Sequence, residues 1–254
     1  MAMLNRNGVA ISYDVHGSGP ALLLTHGFSA TARMWDPQIE ALSARHTLIL
    51  WDLRGHGLSA APEAPEAYLE REATADMAAL LDAVGAETAI IGGLSLGGYL
   101  SLAFHCDYSE RTRALLIIDT GPGYKRDDGR AAWNRQANAM ADSIERDGMA
   151  ALSGGSAERS AAVHRDLNGV VRAGRSLLTQ HSPRVIESLP AIEVPSLVVV
   201  GAEDEPFLAA TDYMAAKIAG AEKVVVAEAG HAVNLDQPQI FNAALIDFLD
   251  RHGL

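Results

Sequence analysis

The chain has 254 residues, 48% of them hydrophobic, which is enough for a substantial core and too apolar for a disordered protein. Its 20 basic and 32 acidic residues give a formal charge of −12, which opposes non-specific attachment to nucleic acid or an anionic membrane and suits a small, neutral substrate. Cys106 is the single cysteine, so an intrachain disulfide and a cysteine-rich metal site are both excluded.

The first residues, Met1 to Gly8, lack the apolar core of a secretory signal, and no apolar stretch reaches membrane-spanning length. The expected location is therefore the cytoplasm. Val9, Ile11, Tyr13 and Val15 alternate with polar neighbours and predict an antiparallel edge hairpin. The rhythm then changes to short continuous apolar runs at 21–24, 47–51, 88–91, 114–118, 196–200 and 223–226, the pattern of strands buried on both faces. Between them lie helical faces, one made by Met77, Leu80, Leu81 and Val84, another by Ile240, Phe241, Ala244, Leu245, Phe248 and Leu249. The alternation predicts an α/β protein with a mostly parallel central sheet covered by helices on both faces.

From Tyr124 to Leu189 the alternation fails: charged residues, Gly154-Gly155 and scattered leucines and methionines suggest helices without strands. Residues 1–123 and 190–254 are expected to form the core. Residues 124–189 are expected to form a helical cap after the sixth strand, above the crevice where open α/β sheets bind ligands.

The run from Ile90 to Gly98 ends a strand in Gly93-Leu94-Ser95-Leu96-Gly97 and opens into a helix-compatible segment without proline. This Gly-x-Ser-x-Gly turn is the pattern of a nucleophile elbow, which raises Ser95 at a strained strand-to-helix junction. Cys106 is expected to pack behind it. A serine hydroxyl needs a base, and His231, in a loop after the 223–226 run, is the best placed of nine histidines. The base needs an acid to fix its tautomer and stabilise the imidazolium. Asp204 follows the strongest apolar run and is preferred; Asp119 also ends a run and keeps the same Ser, Asp, His order.

An oxyanion site needs two convergent backbone N–H groups, for which Phe28, in the turn His26-Gly27-Phe28, and Leu96 are the candidates. His26, Phe28, Trp133, Met140 and Met149 are candidate pocket residues, with His26 also expected to brace its turn. A metal site built from His26, Asp52 and His56 is disfavoured, because the 52–59 segment reads as an internally hydrogen-bonded loop.

With His26-Gly27-Phe28, Asp52-Leu53-Arg54-Gly55-His56-Gly57-Leu58-Ser59, Gly93-Leu94-Ser95-Leu96-Gly97-Gly98, Asp204 and Gly230-His231 in this order, the chain resembles an α/β-hydrolase of the small, capped, cofactor-free kind. Within that family it is most similar to carboxylesterases and enol-lactonases. The resemblance implies the α/β-hydrolase fold, a structural role for the 52–59 loop, and an acyl-enzyme reaction on a small ester or lactone with no metal or organic cofactor. Ser95 in place of an aspartate sets the chain apart from haloalkane dehalogenases and epoxide hydrolases. The lack of a lysine beside Asp204 or His231 sets it apart from hydroxynitrile lyases. Carbon–carbon hydrolases, thioesterases, peroxidase-like members and the menaquinone-pathway lyase share the triad and stay open, as does a hydrolase-fold ligand receptor with little turnover.

Overall fold

The computed structural model describes residues 1–152 and 155–254, apart from the side chain of Met149. Eight strands, β1 (Ala2–Arg6), β2 (Val9–His16), β3 (Ala21–Thr25), β4 (Thr47–Trp51), β5 (Ala89–Leu94), β6 (Thr112–Ile118), β7 (Ser196–Gly201) and β8 (Glu222–Val226), form one sheet in the order β1-β2-β4-β3-β5-β6-β7-β8. β1 and β2 pair antiparallel around Asn7-Gly8, both at positive φ, the backbone that a tight two-residue hairpin requires and that Asn-Gly adopts with least strain. β2 runs antiparallel to β4, and every later pairing is parallel.

Because side chains alternate across a strand, the apolar runs feed two cores. Leu23, Ile91, Leu115, Ile117 and Val198 face one; Leu22, Leu24, Ile90, Leu116, Ile118, Leu197 and Val199 face the other. β8 departs from expectation. It is an edge strand whose first four residues are partly or fully exposed, with only Val226 buried.

The helices are α1 (Ile39–Ser43), α2 (Glu70–Ala83), α3 (Leu96–Asp107), α4 (Asp127–Asp147), α5 (Ala157–Ser160), α6 (Leu167–Arg175), α7 (Arg184–Ser188), α8 (Glu205–Lys217), α9 (Val233–Asp236) and α10 (Pro238–Arg251). α2 and α3 cover the first core, through Met77, Leu80, Leu81, Leu100 and Phe104. α1 and α10 cover the second, through Leu42, Phe241, Leu245, Phe248 and Leu249. Ile240 falls outside the buried stripe of α10 and is 52% exposed, because it lies about a quarter turn from Phe241 on a helix only one face of which meets the sheet. Cys106, near the end of α3, packs toward α7, its Sγ 3.1 Å from Ser188 Oγ. Among the described residues the chain between β6 and β7 holds α4 to α7 and no strand.

Candidate active site

Ser95 occupies the single residue between β5 and α3, with φ 56° and ψ −117°. A side chain at positive φ is costly, and it persists only where surrounding contacts hold it. Its N–H donates to Ile118 O (2.9 Å) on the neighbouring strand, and its carbonyl accepts from Tyr99 N (3.0 Å) and from Thr120 Oγ1 (2.6 Å). The turn is possible because of Gly97, where a Cβ would stand 2.1 Å from Thr25 O. The hydroxyl is thus lifted off the sheet's C-terminal edge, with its backbone pinned from both sides.

His231 lies between β8 and α9. Its Nδ1 is 2.8 Å from the Oδ2 of Asp204, the last residue of the loop between β7 and α8. The two loops meet because β7 ends in Gly201, where a Cβ would stand 2.2 Å from Gly230 O. The Asp204 side chain is 5% exposed and that of His231 23%, so the carboxylate is shielded while the imidazole reaches the cavity. Phe207 stacks on the imidazole, ring centroids 5.1 Å apart and planes 27° apart. Ser95, Asp204 and His231 line one cavity, with no hydrogen bond drawn between the serine hydroxyl and the imidazole; such contacts commonly tighten only when substrate binds. Asp119 does not take the place of Asp204 on the imidazole. It is fully buried at the end of β6 and accepts from Gly201 N (2.8 Å).

Opposite the elbow, β3 ends in the turn His26-Gly27-Phe28. A Cβ on Gly27 would be 3.4 Å from Ser95 Cβ, so this turn borders the serine directly. The N–H groups of Phe28 and Leu96 donate to no protein acceptor among the described residues. Two N–H donors without a protein acceptor thus lie in the two turns that border the raised hydroxyl.

His26 is placed differently from the pocket role expected for it. It is fully buried behind the turn, with Nε2 accepting from Leu53 N (3.0 Å) and Nδ1 donating to Gly27 O (2.7 Å). An imidazole holding one donor and one acceptor is neutral, and burial pushes His26 down to about 4. His56 is held likewise, between Ser29 N (3.1 Å) and Arg54 O (3.1 Å), and burial lowers it well below the usual histidine range. His164 bridges Gly57 N (3.1 Å) and Ser29 O (3.0 Å) and is lowered by burial too. Asp52 accepts from Ala32 N and Leu58 N, both at 2.9 Å. The ring nitrogens and carboxylate oxygens that could tempt a metal reading are thus taken by backbone groups. Arg54 in the same loop donates to buried Asp76 at 2.6 and 2.9 Å.

The cavity has two lobes that share Ser95, Trp133, Leu178, Pro206 and Phe207. One is closed by Leu96, Tyr99, Thr120, Tyr124 and Leu177; the other opens past Phe28, Met140 and Arg159. Phe28, Trp133 and Met140 therefore face the cavity, and the side chain of Met149 lies outside the described residues. Sequence reasoning missed Phe207, Thr120, Leu178 and Arg159. Of these only Thr120, one residue past the strand-ending Asp119, carried a positional signal.

Residues 22–244 match the profile of the "Alpha/beta hydrolase family". A Bacillus subtilis protein provisionally named 2-succinyl-6-hydroxy-2,4-cyclohexadiene-1-carboxylate synthase is 28% identical over 94% of this chain and 95% of its own length. The 3-oxoadipate enol-lactonase 1 of Acinetobacter baylyi is 26% identical over 93% of this chain and 92% of its own. The crystal structure of the enol-lactonase from Burkholderia xenovorans superimposes with a TM-score of 0.80 at 26% identity, covering 98% of this chain and all of that one. With the sheet order, the elbow and this match across most of its length, the chain belongs to the alpha/beta hydrolase family.

Proposed function

We propose that the protein is a serine hydrolase that cleaves a small carboxylic ester or lactone through an acyl-enzyme. The observation that carries this reading is the meeting, in one cavity, of Ser95, the Asp204–His231 pair and the unpaired N–H groups of Phe28 and Leu96. His231 takes the Ser95 proton as the hydroxyl attacks the carbonyl, and the two N–H groups receive the oxyanion. The imidazolium, held by Asp204, gives its proton to the leaving alkoxide. His231 then activates a water that releases the acid. No metal or organic cofactor takes part. Residues 124–189 act as the cap, in which Trp133 and Met140 help choose the acyl and alcohol groups.

The enol-lactonase relatives favour a lactone or ester. The Bacillus subtilis relative, named as a synthase, favours a second reading in which the same triad serves a lyase and not a hydrolase. A panel of esters, lactones and thioesters with saturation kinetics separates them. A fluorophosphonate is expected to label one serine, mapped to Ser95, and Ser95→Ala to lower turnover by at least about 10⁴-fold with folding intact. Label on Ser59 or Ser101, or none on folded protein, overturns the assignment.

A further inference from the structure

The end of β6 holds a buried acid that the proposed reaction does not use. Asp119 has no exposed surface and sits at φ 43°. Its N–H donates to Val199 O (2.9 Å) and its Oδ1 accepts from Gly201 N (2.8 Å), so the residue stitches β6 to the end of β7. The same Gly201 accepts, through its carbonyl, from Asp204 N (3.1 Å). Asp119 and Asp204 thus bond the two sides of one residue, Gly201, and both side chains are buried at that turn. No N–H or hydroxyl from elsewhere reaches Asp119 Oδ2, and Asp119 has no ion-pair partner among the described residues.

Two carboxylates buried side by side at one turn do not both keep their charge. Asp204 faces the N–H of His231 and holds the charge. We propose that Asp119 is a neutral carboxylic acid that donates its O–H to Asp204, and so is a positioning residue for the carboxylate that orients His231. This rests on reading Asp204 as the acid of the triad. It also accounts for the otherwise unpartnered Oδ2, because that oxygen is then the donor. Burial, with the charge of Asp204 behind it, pushes Asp119 up to about 9, against the opposing pull of the Gly201 N–H. Asp204 is the titratable group facing it, and His231 lies beyond Asp204.

The proposal separates two substitutions. Asn at 119 keeps a neutral donor and an acceptor; Ala keeps neither. Asp119→Asn is expected to turn over at least about tenfold faster than Asp119→Ala, with KM for the ester differing by less than about threefold, since the lost interaction acts on the base and not on substrate. Equal damage by both substitutions in folded proteins means that the negative charge of Asp119 matters, and overturns the proposal.

Should Asp119→Ala fail to fold, stability decides. An unfolded aspartate has lost its proton above about pH 4, whereas folded Asp119 keeps it up to about pH 9. The folded state then binds one more proton in that window, and stability falls as pH rises through it, by up to about tenfold in the unfolding constant per unit. Asp119→Asn lacks this proton. The ratio of wild-type to Asp119→Asn unfolding constants, from urea titrations, is expected to rise at least about tenfold between about pH 5 and 8. A ratio constant within about threefold overturns the proposal. This measurement needs no turnover, so a neutral Asp119 stands or falls separately from the labelling of Ser95.

Discussion

Phe207 covers one face of the His231 ring, and a ring pair of this kind contributes about 0.5–1.5 kcal/mol beyond the area it buries. The adjacent Pro206, in the first turn of α8, has a fixed φ that suits a helix start and aims Phe207 back across the loop. Phe207→Ala is expected to lower kcat by about two- to tenfold, the kinetic equivalent of that energy, and to slow fluorophosphonate labelling in step. A variant with unchanged kcat and merely raised KM assigns the ring to substrate binding instead. Asp204→Asn, which favours the wrong tautomer, is expected to cost about 10³- to 10⁴-fold in turnover. Ser95, Asp204 and His231 were legible because each ends or follows an apolar run at a place where a parallel sheet presents loops. Phe207 was not, since its partner lies 24 positions away in sequence and their contact is made only by two loops folding together. The rivalry between Asp119 and Asp204 had a physical basis: both follow neighbouring strands, and both bond Gly201.

The strand–Ser95–helix junction depends on space as much as on torsion. A methyl group at Gly97 would meet the backbone of Thr25, which cannot give way without shifting β3. Gly97→Ala is expected to cost at least about 2 kcal/mol in chemical denaturation and to abolish labelling of Ser95. Labelling at the wild-type rate would mean that the turn needs less room than its contacts imply. The central strands were readable because residues buried on both faces must be continuously apolar. β8 misled because its run 223–226 looks the same on paper, yet as an edge strand it is covered mainly on one side. The 124–189 segment reads as helical from the loss of alternation, but which of its residues meet the cavity depends on packing that periodicity does not encode.

Across the whole molecule, two sets of buried groups pull stability in opposite directions with pH. His26, His56 and His164 are kept neutral by burial and by their backbone partners. The unfolded chain therefore binds their protons first, and stability is lost as pH falls below about 6.5, continuing toward the value of about 4 at His26. A neutral Asp119 acts with the opposite sign, releasing stability as pH rises toward about 9. Three protons outweigh one on the acid side, so urea midpoints are expected to peak between about pH 6 and 7. A profile still rising at pH 9 would contradict this balance.

The two walls of the cavity are made of different material. On the sheet side stand the backbone of Gly27, the N–H groups of Phe28 and Leu96, and a serine whose turn leaves no room for a Cβ at Gly97. On the other side stand side chains, Trp133 and Met140 on α4 and Leu177 and Leu178 in the turn after α6, in a segment that no strand pairing constrains. One wall tolerates almost no mutation, and the other can be redrawn residue by residue. Drift in what this protein accepts is thereby confined to the helical side, and a lineage could exchange one substrate for another while the apparatus that breaks the bond stayed as it was.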